Sequence, residues 1–165
     1  VPNVSYNGST ESACPNTFIV SSRINWAPYL EHCIEAVRDG KTIEADWTGT
    51  LADNSVLLTD FGQKATAEGT ADAVEKAKKA IEDGSVHVFD VNTFTVTVTE
   101  DKNKNAKVDA DGHLTSYMAD VDTDAAYTPD KEVVSDGYFH ESEYRAAPYF
   151  DVQIDGINLL DVNFG

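Results

Sequence analysis

The sequence has 165 residues, 41% of them hydrophobic and 10% aromatic, enough for one domain with a buried core and a small appendage but not for two full lobes. Lys and Arg total 12 against 29 Asp and Glu, and the resulting net charge of −17 excludes nucleic acid and an anionic membrane surface as partners, because neither finds a basic face here. No apolar run approaches the roughly 18–20 residues that cross a bilayer. The chain opens at Val1 without a charged leader or cleavage site, which predicts a processed product or fragment whose signal peptide or lipid anchor lies outside it.

Val1 to Tyr6 and Phe18 to Ser22 are short β-branched or aromatic runs bounded by Gly, Pro and Asn, which predicts two strands. A helix follows. Asn25 is placed to cap it, Pro28 fits its first turn, and Gly40 closes it after Arg38. Trp26, Leu30, Cys33, Ile34 and Val37 recur at helical spacing and are expected to face the core. Ser55 to Thr59 reads as a strand and Thr70 to Asp83 as a second helix, with Ala71, Val74, Ala77 or Lys78, and Ile81 on one side and Glu75–Lys79 as an i, i+4 pair. Gly84 ends that helix and Val86 to Phe89 resumes a strand. This alternation predicts an α/β layer with a partly parallel sheet over residues 1–92.

From residue 93 onward no amphipathic helix is recognisable, and residues 93–165 read as a β-rich, acidic C-terminal extension. Thr93 to Thr99 alternates perfectly and predicts a strand with one polar face. A polar loop, Glu100 to Gly112, and acidic turns around Asp120, Asp122 and Asp124 come next. The tail from Tyr149 to Leu160 predicts a hairpin turning at Asp155-Gly156.

Recognisable chemistry is sparse. Cys14 and Cys33 leave one disulfide open, although the apolar side of its helix favours a buried free thiol at Cys33. His32, His87, His113 and His140 are scattered without zinc-ligand spacing. Ser21-Ser22 lacks a nucleophile elbow, and no pair of the abundant acids stands out as acid and base, so no covalent catalysis and no cofactor are expected. Asp101, Asn103 and Asn105 open like a calcium loop, but Ala106 replaces the turn Gly, Gly112 stands where a bidentate Glu belongs, and lysines intervene, which favours a solvated loop. Asp120, Asp122 and Asp124 are likewise expected to be a solvated acidic face. Asn7 is more suggestive: after Val4-Ser5-Tyr6 it would stand at the carboxyl end of a strand, where ligands dock on open α/β sheets, unless it simply opens a turn.

Four segments in order resemble one family. They are Val4 to Asn7 with Phe18 to Trp26, Val37 to Lys41 with Trp47 to Gly49, Val56 to Gly62, and Ala80 to Asp90, whose I-x-x-G-x-x-x-V-F-D is the most characteristic piece. Together they resemble the closing third of the basic membrane protein family, surface lipoproteins that act as substrate-binding components of ABC importers, usually for purine nucleosides. The resemblance covers about residues 1–92 and implies the second half of a type I periplasmic-binding fold, in which two lobes close on a ligand.

On that resemblance, Asn7 falls where family members hold ribose hydroxyls, and Ser21 to Trp26 falls at the hinge entry. Arg23 or Ile24 stands near the position of a ligand-facing Lys, a departure that exchanges a point charge for a planar fork. Trp26 is placed either to line the cleft or, the favoured reading, to begin the helix stripe. The ligand-binding candidates are therefore Asn7, Ser21, Arg23 and Trp26. The expected function is capture of a nucleoside-like solute at the outer face of the cell membrane for an ABC permease, with no nucleic-acid partner. Self-association would cover surface that a missing lobe leaves bare. The alternative is an extracellular surface interaction module stabilised by calcium.

Overall fold

The computed structural model describes residues 1–122, 124–126 and 128–158. They form a mixed α/β protein with two compact units, Val1–Val86 and His87–Gly165. Among the described residues both helices belong to the first unit, and no helix is long and apolar enough to cross a membrane.

The first unit pairs β1 (Asn3–Tyr6) with β2 (Phe18–Ile24) in parallel, and β2 with β3 (Val56–Leu58) antiparallel, in the order β1-β2-β3. Phe18 and Val20 of β2 are buried, and so is Ser21. The chain returns closely over the start of β2: the Gly62 amide donates to the Ile19 carbonyl at 2.8 Å. Helix α1 (Ala27–Arg38) begins with Pro28 in its first turn and stops at Gly40, which takes φ +69°. The N-cap position is Trp26, one residue beyond the expected cap; Asn25 instead accepts from the Ala27 amide through its side chain. Helix α2 (Thr70–Glu82) ends before Gly84 at φ +74°.

The face that α1 buries differs from the one expected. Leu30, Ile34 and Val37 are exposed, as is Trp26, whereas Ala36 is buried and Tyr29, His32 and Cys33 are half-buried. Positions 29, 32, 33 and 36 share a helix face, and Trp47 covers its start, 5.4 Å from the Tyr29 ring and 5.9 Å from His32. On α2, Val74 is half-buried while Ala71, Ala77 and Ile81 are exposed, and the ion pair formed is Lys78–Glu82 at 3.7 Å. Both cysteines are free and half-buried.

Residues 86–89 do not form the expected strand. The Phe89 carbonyl accepts from the Phe139 amide, and Asp90 makes an isolated bridge to Tyr138, which ties this stretch to the second unit. A single 3-10 turn, Val91–Thr93, follows. The second unit then carries β4 (Ala106–Val108), β5 (Leu114–Ala119) and β6 (Lys131–Glu132) as one antiparallel sheet in the order β4-β5-β6, with a separate hairpin of β7 (Val134–Ser135) and β8 (Tyr138–Phe139). Its core holds Val96, Leu114, Val133 and Phe139, none more than 2% exposed. Phe150 stacks on Phe89 at 4.0 Å and meets Phe139 edge-on at 4.7 Å.

Thr93 to Thr99 buries Val96 but leaves Val98 exposed, and it joins no ladder. Its polar groups are satisfied elsewhere: the Val96 amide donates to the Gly112 carbonyl, the Thr97 amide to the Asp155 carboxylate, and the Thr97 carbonyl accepts from the Asn103 side chain. The tail does turn at Asp155-Gly156, with Gly156 at φ +82°, yet the flanking described residues do not pair as strands. Leu159 and Leu160, the end of the expected hairpin, lie outside the described residues.

His113 supplies a test of this unit. Its Nδ1 donates toward the carbonyls of Phe94 (2.9 Å) and Val91 (3.1 Å), and the Asp109 and Asp111 carboxylates add favourable charge, so its pKa lies above the ordinary histidine range. The protonated ring therefore stabilises the fold fully below the unfolded-state pKa, and that contribution disappears as pH rises through the higher folded-state value. Urea titrations between pH 5 and 8 are expected to show stability falling with pH, and His113→Gln is expected to flatten that slope.

Candidate functional site

Because β1 and β2 run parallel, their carboxyl ends share one edge of the sheet. Tyr6 pairs with Ser22, so the next residues, Asn7 and Arg23, stand level there. Asn7 leaves the strand at φ +64°, a left-handed conformation that Asn tolerates better than most side chains, while its amide still donates to the Ser22 carbonyl at 2.7 Å. The Asn7 side chain is thereby left exposed at the strand end.

Ser21 has a different place from the other three candidates. It is fully buried, its hydroxyl donates to the Ser22 carbonyl at 2.9 Å and accepts from the Gly8 amide at 3.2 Å, and its own amide donates to Thr59 Oγ1 at 3.0 Å. These bonds occupy the hydroxyl's donor and one acceptor site in a spot no solute reaches. Ser21 therefore shapes the turn that presents Asn7; it does not itself face solvent.

Arg23 is exposed on β2 opposite Leu57, and its guanidinium has no carboxylate partner among the described residues, although the chain has 29 acids. Trp26 follows three residues later at the start of α1. It is 60% exposed, which overturns the expectation that it packs in the core. Among the described residues its one ring neighbour is Tyr29, edge-on at 6.5 Å. Asn7 and Arg23 thus offer an amide and a guanidinium fork at the sheet edge, and Trp26 offers an exposed indole at the start of α1. That set suits hydroxyl hydrogen bonding and stacking on a planar ring. None of them lines the groove of about 240 Å³ between β3 and α2, whose walls include Leu57, Leu58, Phe61 and Val74.

Thr59 was not singled out in the sequence, yet it locks the edge by exchanging bonds with Ser21: its hydroxyl accepts from the Ser21 amide and its own amide donates to the Ser21 carbonyl at 2.9 Å. Asp53 lies in the polar turn Ala52-Asp53-Asn54 that the sequence places ahead of the Ser55–Thr59 strand. Its carboxylate accepts from the Thr50 and Ser55 amides, which holds it below the usual carboxylate range against the opposing effect of burial and shapes the entry to β3.

The acidic segments of the second unit are engaged in local turns. Asn103 sits at φ +53°, donates to the Thr97 and Gln153 carbonyls and accepts from the Gln153 amide. Asp109 accepts from the Asp111 and His113 amides, Asp122 from the Asp124 amide, and Asp124 from the Ala126 amide. Among the described residues no three His, Cys, Asp or Glu are grouped to hold a metal ion. Comparison with protein-family models, with curated proteins and with solved structures finds no match to this chain.

Proposed function

We propose that the chain contributes one wall of a solute-binding protein of the type I periplasmic-binding fold, capturing a nucleoside-like solute outside the cell for an ABC permease. The observation that carries this reading is the level placement of Asn7 and Arg23, both exposed, at the carboxyl ends of two parallel strands. Ligands dock at that edge in open α/β sheets. The ordered resemblance of residues 1–92 to the basic membrane protein family supports the same assignment. In this reading the Asn7 amide donates to and accepts from ribose hydroxyls, Arg23 holds the sugar or an exocyclic oxygen, and Trp26 stacks on the base.

Calorimetric titration with adenosine, guanosine, uridine and free ribose tests it, with calcium as the control for the interaction-module alternative. One nucleoside is expected to bind, and Arg23→Gln and Asn7→Ala are each expected to weaken it about tenfold or more. Loss of a hydrogen bond involving a charged group costs about 1.5–3 kcal/mol, and about 1.4 kcal/mol is tenfold. Absence of any nucleoside response, or an affinity untouched by both substitutions, contradicts the proposal.

A further inference from the structure

The hairpin of β7 and β8 assembles three side chains that the solute-capture reading does not use. Ser135 Oγ lies 2.8 Å from His140 Nε2, and the other ring nitrogen, Nδ1, is paired with the Glu143 carboxylate. In the neutral ring a carboxylate on Nδ1 favours the tautomer with its proton there, which turns the free Nε2 toward the serine hydroxyl. This is the mutual geometry of a nucleophile, its base and the base's orienting acid.

The base is held firmly and the nucleophile is accessible. The His140 amide donates to the carbonyl of buried Val133 at 2.9 Å, its carbonyl accepts from the Tyr149 hydroxyl, and its ring packs on Tyr138 at 3.9 Å. The His140 side chain is 12% exposed, whereas Ser135 lies at the open side of the turn. The turn residues Asp136 and Gly137 take φ +52° and +85° and are exposed, and neither amide has an acceptor among the described residues. An amide immediately after a nucleophile is one of the positions from which an oxyanion is stabilised.

We propose that Ser135, His140 and Glu143 form an esterase-type relay that acts on uncharged esters. Ser135 Oγ attacks the ester carbonyl as His140 Nε2 takes the hydroxyl proton. The carbon–oxygen bond to the leaving group then breaks, and the alcohol departs with the proton that His140 returns. Water, deprotonated by the same nitrogen, attacks the acyl-serine, releases the carboxylic acid and restores the hydroxyl. Glu143 acts as a positioning residue. The carboxylates of Asp136, on Ser135, and Glu143, on His140, put negative charge at the site, which selects against anionic acyl groups. Asp136 Oδ2 accepts weakly from Ser135 Oγ at 3.4 Å, so it competes with His140 for the hydroxyl hydrogen and opposes the developing oxyanion.

The full chain is treated with an alkyl fluorophosphonate, which forms a phosphonyl-serine and releases fluoride, and the adduct is mapped by peptide mass spectrometry. The expected result is one adduct, on Ser135, that is absent in Ser135→Ala and slowed at least tenfold in His140→Gln. Hydrolysis of 4-nitrophenyl acetate is expected to follow the same order and to quicken in Asp136→Asn, which keeps the turn but removes the opposing charge. Ser135→Ala alters an exposed side chain, so its fold is expected to persist and to show an unchanged amide spectrum. For Glu143, nitrogen NMR of His140 reports the Nδ1–H tautomer in the wild type and a mixture in Glu143→Gln. No adduct on Ser135, or labelling as fast in His140→Gln with its amide spectrum intact, overturns the proposal. Because these readouts involve no nucleoside, they stand or fall apart from solute capture.

Discussion

Phe139→Ala is expected to remove about 3–5 kcal/mol from the stability of the second unit, the usual cost of truncating a fully buried aromatic side chain. Phe139 is 0% exposed and meets Tyr117 at 5.4 Å, Phe150 at 4.7 Å and Tyr149 at 6.2 Å. Those rings come from two separate parts of the unit, β5 and the consecutive pair Tyr149-Phe150, so the cavity left behind has no single element that can shift to fill it. A folded domain has only about 5–15 kcal/mol in hand. The amides of β4 and β5 should therefore lose most of their hydrogen-exchange protection. Retention of wild-type protection in β5 would show that the aromatic cluster does not organise this unit.

Gly62→Ala is expected to have a comparable effect on the first unit for a different reason. A Cβ at this position would stand 2.2 Å from the Phe18 carbonyl oxygen, a main-chain atom held in the β1–β2 ladder, and 3.0 Å from the Phe18 ring. Overpacking typically costs about 1–3 kcal/mol, occasionally more, and here the obstructing atom is backbone that cannot rotate away. The substitution is expected to lower the thermal midpoint and to break the Gly62–Ile19 hydrogen bond, seen as faster exchange of the Gly62-position amide. Gly8→Ala, where a Cβ meets nothing within 4 Å, is the matched control.

How much of this was legible in the sequence depends on the range of the interactions involved. The two helices were read with nearly their true bounds because their stops are local: Gly40 and Gly84 both adopt the positive φ that ends a helix. The face that α1 buries was not legible. Of the expected stripe only Cys33 is half-buried; the covered face runs through Tyr29, His32 and Ala36 instead, about one residue round the helix, where Trp47, distant in sequence, packs on Tyr29 and His32. Thr93 to Thr99 shows the same limit. Its alternation predicts one apolar face, of which Val96 is buried and Val98 exposed; a strand also needs a neighbouring backbone, and the side chains of Asp155 and Asn103 take that place.

The site residues divide in a similar way. Asn7-Gly8 at a strand end was readable as a turn that exposes an amide. The burial of Ser21 was not, because it depends on Thr59 bonding from the far side of β2. The Ser135–His140–Glu143 cluster escaped notice for a topological reason. The sequence signature of a nucleophile is a strand-to-helix elbow, whereas here the two-residue turn Asp136-Gly137 folds β8 back on β7 and carries His140 to Ser135. Asp-Gly between short apolar runs was the signal present in the sequence.

The central claim, that Asn7 and Arg23 at the sheet edge, with Trp26, hold a nucleoside-like solute, is tested most directly by residue-resolved NMR. A titration with the purine and pyrimidine nucleosides follows backbone amides together with the Trp26 indole and the Arg23 guanidinium resonances. The account predicts saturable shifts for one nucleoside at Asn7, Gly8, Arg23 and the Trp26 ring, with β4 to β8 unmoved. Shifts centred elsewhere, or none at this edge with any nucleoside, would contradict it.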